Sequence, residues 1–540
     1  MMYRAGVSVT RRLLWGCLVL LLSLLLVACG GDEPRQGDDS IVIGTTARLR
    51  TLDPADAYEN LAGLLLLNLG DRLYTYEGKD LIPQLATALP EVSEDGLTYR
   101  IPLRRGVRFH DGTPFNAAAM AFSLERFMNS GGQPASLLAG RVKEIQAIAE
   151  DLLEIRLKEP FVAFPHLLAF SGLCAVSPTA YGAAGDRFLP TQFVGTGPYR
   201  LAAYGTDGIR LEPFADYWGT KPQNTGIRLQ IFSSSANLYN AFRTGAVDVA
   251  IGALDPNQIR ALKTQAATKH WQVITGAGNA VTVLSINLRQ PPWDQLAARQ
   301  VLAASVNRQR LAERVFLGEA EPLYSLVPSL FPESEPIFRD RYGDGDAAQI
   351  AHWLAKTSIS AQQPLVVNLW YRANVPSNVL AATVLKASLE RDLGDRVQVQ
   401  LDSADSATIY RNLDSGAYPL VLLDWYGDFY DADNYLEPFL SCEHGSVETG
   451  CESGASAAWG SFFYSPEAND LIVASRREAN PQRRGVLLRQ LQELNAEAVA
   501  FLPLWQSETT LFAQPQLRGL ILDVNQLFTF APLQKAPKDQ

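Results

Sequence analysis

The sequence predicts a mixed α/β protein built as two or three lobes, and three observations carry that reading. Strand-like alternation and helix-like periodicity take turns along the whole chain instead of segregating to one half. The length of 540 residues exceeds what one compact hydrophobic core usually holds. Hydrophobic residues make up 47% and charged residues 19%, the balance of a folded globular chain.

Residues 1–28 read as a signal peptide. Arg4, Arg11 and Arg12 form a basic start, no charge falls between Leu13 and Ala28, and the apolar run is short for a membrane span. It ends at Leu26-Val27-Ala28-Cys29-Gly30. Small residues before a cut suit extended passage through a peptidase cleft, and the following thiol can accept diacylglycerol. This junction resembles the bacterial lipobox, which implies Cys29 as the lipidated first residue of an exported chain. That chain would be held at the outer face of the cytoplasmic membrane or in the periplasm. The competing reading is an uncleaved anchor. Residues 29–40 are polar and glycine-rich, a flexible tether.

The ordered part is expected from Ile41. Ile41-Val42-Ile43-Gly44 reads as a strand, Asp53-Pro54 as a turn, and 61–69 as a buried helix. Alternation predicts strands over 98–103 and 152–157, with a helix over 116–128 between them. Further strands are expected at 227–232, 281–288, 365–370 and 420–424, and amphipathic helices at 295–316 and 378–393. No internal repeat is found.

Charge and chemistry exclude several classes. The net charge is −10, and loss of three leader arginines makes the mature chain more acidic, which argues against nucleic acid or an anionic membrane surface as partner. His-Glu-x-x-His, a phosphate loop and a G-x-S-x-G elbow are all missing, and Gly276-Ala-Gly278 lacks the third glycine of a dinucleotide turn. The five histidines are scattered. No enzyme, metal or cofactor is therefore expected, although a triad assembled in space would leave no such trace. Of five cysteines, Cys174 sits in an apolar run and packs. Cys442 and Cys451 flank a polar loop whose spacing suits a disulfide in an oxidising compartment. A metal pair with His444 is the alternative.

From Asp95 to Asn116 the chain reads Asp-Gly-Leu-Thr-Tyr-Arg-Ile-Pro-Leu-Arg-Arg-Gly-Val-Arg-Phe-His-Asp-Gly-Thr-Pro-Phe-Asn. This run resembles the signature of the family 5 extracellular solute-binding proteins, the oligopeptide, dipeptide and nickel receptors of ABC importers. Val194-Gly-Thr-Gly-Pro-Tyr199, Asp216-Tyr-Trp-Gly219, Phe242-Arg-Thr-Gly-Ala-Val-Asp248, Ala297-Ala-Arg-Gln-Val-Leu, Asn307-Arg308 and Phe501-Leu-Pro-Leu504 follow in the family's order, with Asn307 departing from the usual Asp. On their own chemistry most of these residues make turns and hold the fold.

The resemblance implies a periplasmic binding protein-like α/β fold of class II, cluster C type. It has two main lobes, an extra inserted domain and a hinge-closing cleft. Domain I would comprise 41–72, 194–280 and 504–540, domain II the insertion 73–193, and domain III 281–503. It also implies a short peptide ligand, ABC permease subunits and a separate ATPase as partners, and a monomer. Peptide-binding relatives place the Asp of Gly-Trp-x-x-Asp on the ligand's α-ammonium, and the matching residue here is Asp428. An enclosed ammonium needs such a carboxylate. Asp424 replaces that motif's glycine. Arg372 matches an arginine that grips the ligand's terminal carboxylate with two parallel bonds. Trp370, Trp425, Tyr426 and Gly427 complete the expected ligand site, the aromatic residues with core packing as the alternative. A nickel chelate, haem, an opine or a sugar would suit the same fold. An exported hydrolase, or a sensor without transport, remains as a reading of another class.

Overall fold

A computed structural model describes residues 40–185, 187–206, 208–252 and 254–536. The signal peptide, Cys29 and residues 29–39 of the tether lie outside them. The chain divides after Ser40, and the compact unit begins at Ile41.

An eleven-stranded sheet forms its backbone. The order across it is Val397–Ala404, Leu365–Arg372, Leu420–Tyr426, Gln272–Ile286, Phe501–Ala513, Val249–Ile251, Ile41–Thr45, Ile227–Ile231, Gly208–Pro213 and Tyr199–Gly205. Ala320–Pro322 pairs with Phe501–Ala513 off this path. Parallel pairs flank the centre on both sides, 365–372 with 420–426 and 41–45 with 249–251. Such strands are covered on both faces and read as apolar runs, which is why 41–44 and 420–424 are legible.

The two central strands are long, antiparallel and shared between the halves of the sheet. At one end Gln272 lies opposite Ala513, and Val249 also pairs with Ala513. At the other, Ala280 to Ser285 pair with both 420–426 and 501–507. The ladder breaks between Gly276 and Ala280 and again between Thr282 and Val283. The glycines explain the first break, since a Cβ on Gly278 would lie 2.2 Å from the Ser507 carbonyl oxygen. The strand expected at 281–288 is therefore the second half of a longer one whose glycine-rich start breaks the alternation.

One face of the distal half is packed by the helices Leu296–Ser305, Arg308–Phe316 and Pro376–Leu393. The other is packed by Pro466–Arg477 and Pro481–Ala498. The single helix expected over 295–316 is two. Val306 is extended, and the Asn307 side chain accepts the Arg310 N–H at 2.7 Å, which starts a new helix. Asn307, where the family usually has Asp, thus serves as an N-cap, the role its residue type favours.

A separate four-stranded sheet, in the order Glu91–Val92, Thr98–Pro102, Leu152–Leu157 and Val142–Ala149, carries the helix Ala117–Asn129. The run that begins at Asp95 builds this part. Asp95 accepts the Leu97 N–H, Asp111 accepts the Thr113 N–H, and Asn116 caps the helix through the Ala119 N–H. Two further blocks converge on one buried carboxylate. Thr196, Tyr217 and Trp218 all donate to Asp71 at 2.9–3.1 Å. Cys174 is buried, and Cys442 and Cys451 are joined in a disulfide with their Cα atoms 5.7 Å apart. Among the described residues no group of three potential metal ligands exists, and no helix is long and apolar enough to cross a membrane.

Candidate functional site

The parallel strands Leu365–Arg372, Val397–Ala404 and Leu420–Tyr426 end on the same edge of the sheet, where Ala280 lies opposite Tyr426. Open α/β sheets offer their clefts at the carboxyl ends of strands. Here the edge carries Arg372, Asp424, Tyr426 and the turn that follows.

That turn is clasped by one residue. Asn434 is buried; its Oδ1 accepts the Asp428 N–H at 2.7 Å and its carbonyl accepts the Trp425 indole N–H at 2.8 Å. Gly427 gives Tyr435 passage. A Cβ there would lie 2.3 Å from the Tyr435 hydroxyl, which donates to the Asn279 carbonyl at 2.7 Å, in the break of the long central strand. Gly427→Ala is expected to cost about 1–3 kcal/mol through this overpacking, read as a lowered thermal midpoint.

Four acids crowd the segment, and three of them have an arginine. Asp424 pairs with Arg372, Asp431 with Arg484 at 2.6 Å, and Asp433 with Arg476 at 2.9 Å. Asp428 has none. Its carboxylate is met by the hydroxyl of Tyr58 and by the Asn434 side chain. The one cation it feels is Arg141, whose influence is weaker than either hydrogen bond. Burial pushes its pKa up to about 6, against these partners. Next in the chain, Phe429 is buried in the core of the small-sheet part, its ring centroid 5.9 Å from that of Phe161. Asp428 therefore sits where three distant stretches meet, around residues 58, 161 and 425–434.

Tyr58, Tyr410 and Tyr426 expose 39%, 41% and 49% of their surface. Yet surrounding protein raises the pKa of all three, that of Tyr426 to about 12, chiefly by withdrawing them from bulk water. Tyr410 and Tyr426 lie beside the Arg372–Asp424 pair and Tyr58 beside Asp428, so all three flank the carboxyl-end edge of the sheet, where open α/β folds place their cleft. Trp425 and Trp370 face elsewhere. Trp425 lies 5.6 Å from Trp459, Trp370 lies 4.9 Å from Tyr418, and both pack against the core on the face of Pro481–Ala498. Tyr426 is thus the one expected aromatic residue that opens to the cleft.

Arg372 is buried, and each arm of its guanidinium is engaged. Nε donates to Asn378 Oδ1 at 3.2 Å, Nη1 to the Tyr410 hydroxyl at 3.2 Å, and Nη2 to Asp424. Arg372 ends the strand Leu365–Arg372, two residues beyond the expected 365–370, and its internal counter-ion leaves no local trace in the sequence. Tyr58, Tyr410, Asn378 and Asn434 were missed as well. Tyr58 follows the first strand with no local motif, whereas Asn434 closes the acidic segment itself.

A model of the bacterial extracellular solute-binding proteins, family 5 Middle, matches residues 80–446. The chain belongs to this family. As a family 5 member it is a solute-binding protein and not an enzyme. It is 30% identical over 316 residues to the glutathione-binding protein GsiB of Salmonella choleraesuis (strain SC-B67), a match over 57% of this chain and 60% of that protein. The match thus spans less than two thirds of the relative's length. The fold likeness is wider. The periplasmic binding protein DppA of Helicobacter pylori in complex with the peptide STSA superposes with a TM-score of 0.75 at 20% identity, covering 92% of this chain and 98% of that one. NikA of Brucella suis in complex with Fe(III)-EDTA gives a TM-score of 0.79 at 18% identity, over 92% and 100%. The fold of this family 5 protein is therefore the periplasmic binding protein fold over 92% of the chain.

Proposed function

We propose that the protein captures short peptides in the cleft beside Asp428 and delivers them to an ABC importer made of separate permease and ATPase subunits. It would do so as an exported monomer, held at the membrane by lipid on Cys29. Its lobes would be 41–72 with 194–280 and 504–540, the insertion 73–193, and 281–503, closing about the two long central strands. The observation that carries the reading is the lone acid. Every other carboxylate of the segment is answered by an arginine of the chain, whereas Asp428 is held by neutral donors with its pKa raised. An α-ammonium is the charge that completes it. A glutathione-binding relative and a fold neighbour in complex with a peptide agree, because glutathione and peptides both carry a free α-ammonium.

Native mass spectrometry of ligand carried through purification tests the reading directly. A peptide mass supports it, and a metal chelate or haem overturns it. Incubation with dipeptides should return them intact.

A pH profile provides a second test. The Asp428 carboxyl titrates near 6, and only its ionised form attracts an ammonium. Peptide affinity should therefore fall as pH drops through about 6. It should fall again above about 8, where the ligand's own amine deprotonates. Calorimetry between pH 5 and 9 reads both limbs, and Asp428→Asn should lose the acid limb. An acid limb that persists in the variant would assign it to another group.

A further inference from the structure

Arg372 is the residue expected to seize a ligand carboxylate, and the structure shows its seat already taken. Asp424 binds Nη2, Asn378 binds Nε and the Tyr410 hydroxyl binds Nη1. Asp424 is fixed in turn, because Thr282, its register partner on the neighbouring strand, donates its hydroxyl to Asp424 Oδ1 at 2.8 Å. The pair is therefore built from two adjacent strands and a helix N-terminal turn, not from mobile surface side chains. Asn378, which holds Nε, is itself wholly buried, so the pair is braced from the protein interior. Above the pair stand the exposed rings of Tyr410 and Tyr426.

An incoming carboxylate would meet a guanidinium whose fork is closed and whose charge is cancelled, and it would lie beside a like charge. A neutral amide meets no such conflict. It can use the hydroxyls of the exposed Tyr410 and Tyr426.

We propose that Asp424 is a built-in occupant of the carboxylate seat of Arg372, so that the cleft selects peptides whose far end is an uncharged amide, whether a blocked terminus or a chain that continues, over peptides that end there in a free carboxylate. This rests on the peptide reading of the Asp428 site and adds a specificity residue to it.

The test is a calorimetric panel of one dipeptide as free acid, as C-terminal amide and as N-acetylated acid, against the wild type, Asp424→Asn and Asp424→Ser. Serine keeps a hydroxyl for Thr282 should asparagine disturb the strand pair, and thermal midpoints report folding. The wild type is expected to bind the amide at least tenfold tighter than the acid. Both variants free Arg372 and should shift the preference at least tenfold towards the acid. A wild type that prefers the acid, or a preference unchanged in both folded variants, overturns the role of Asp424. If N-acetylation leaves affinity unchanged while the variants still shift the preference, the Asp428 reading fails and the Asp424 role stands. If acetylation abolishes binding but the preference never moves, the reverse holds. No binding of any peptide to any form overturns both.

Discussion

Asp428→Asn is expected to weaken peptide binding by two to three orders of magnitude while leaving the protein folded. Within the acidic segment 424–434 the Asp428 carboxylate is the one without a paired arginine, since Asp424, Asp431 and Asp433 are spent on Arg372, Arg484 and Arg476. Removing one member of an enclosed ion pair costs about 3–5 kcal/mol, because the partner is left charged and dry. At about 1.4 kcal/mol per tenfold, that is the expected loss. Folding should not suffer. The carboxylate's pKa is raised by burial from its ordinary value to about 6, so the ionised group costs the empty protein stability above that pH and is relieved below it. Asparagine removes that cost, keeps the shape and leaves the Asp428 main-chain bond to Asn434 in place. The thermal midpoint of the empty variant at pH 7 should equal or exceed that of the wild type. Calorimetry showing equal affinities would remove Asp428 from the site.

The contrast between Asp428 and its neighbours also shows where sequence reading stops. Continuous apolar runs reveal the strands expected at 41–44 and 420–424 and alternation reveals the one at 98–103, because burial on both faces or on one is written locally. Turn and cap residues such as Asp111, Gly112 and Asn116 are local too, and they do in the structure what their chemistry favours. The boundary at Asn307 is missed because the apolar period runs on through a two-residue break. The full length of Gln272–Ile286 is missed because a shared strand belongs to two environments and shows neither pattern cleanly. The site follows the same rule. Asp428 and Arg372 are found through motifs, but the partner of each acid comes from elsewhere in the chain: Arg372 is 52 residues from Asp424, Arg484 is 53 from Asp431 and Arg476 is 43 from Asp433. Only the tertiary structure says which of the four acids is left without a paired arginine, the observation on which the proposed ammonium site rests.

The same distribution makes Arg476 the residue whose loss should most damage the fold of the site. Asp433 is 1% exposed, and Arg476 binds it through Nε and Nη2 at 2.9–3.2 Å, while also reaching Glu437 at 3.3 Å. The guanidinium lies 5.3 Å from the Phe161 ring centroid, and the Arg476 carbonyl accepts the Val162 N–H, so the residue ties the acidic turn to the small-sheet part. Burial opposes ionisation of Asp433, and Arg476 outweighs it, holding the pKa below the ordinary carboxylate range. Stability from this pair is thus present above the unfolded-state pKa of about 4 and lost as pH falls through the lower folded value. Arg476→Ala reverses the sign. With its arginine gone, the buried carboxylate's pKa rises, so the penalty of about 3–5 kcal/mol is greatest at neutral pH and eases on acidification. Denaturant unfolding at pH 7 and pH 5 should show the gap to wild type narrowing at the lower pH. Adding Asp433→Asn to Arg476→Ala should recover most of the loss at pH 7, because a neutral amide does not need the missing cation. A gap that is constant with pH, or a double variant no better than the single, would mean that Arg476 acts through its packing on Phe161 and not through the charge of Asp433.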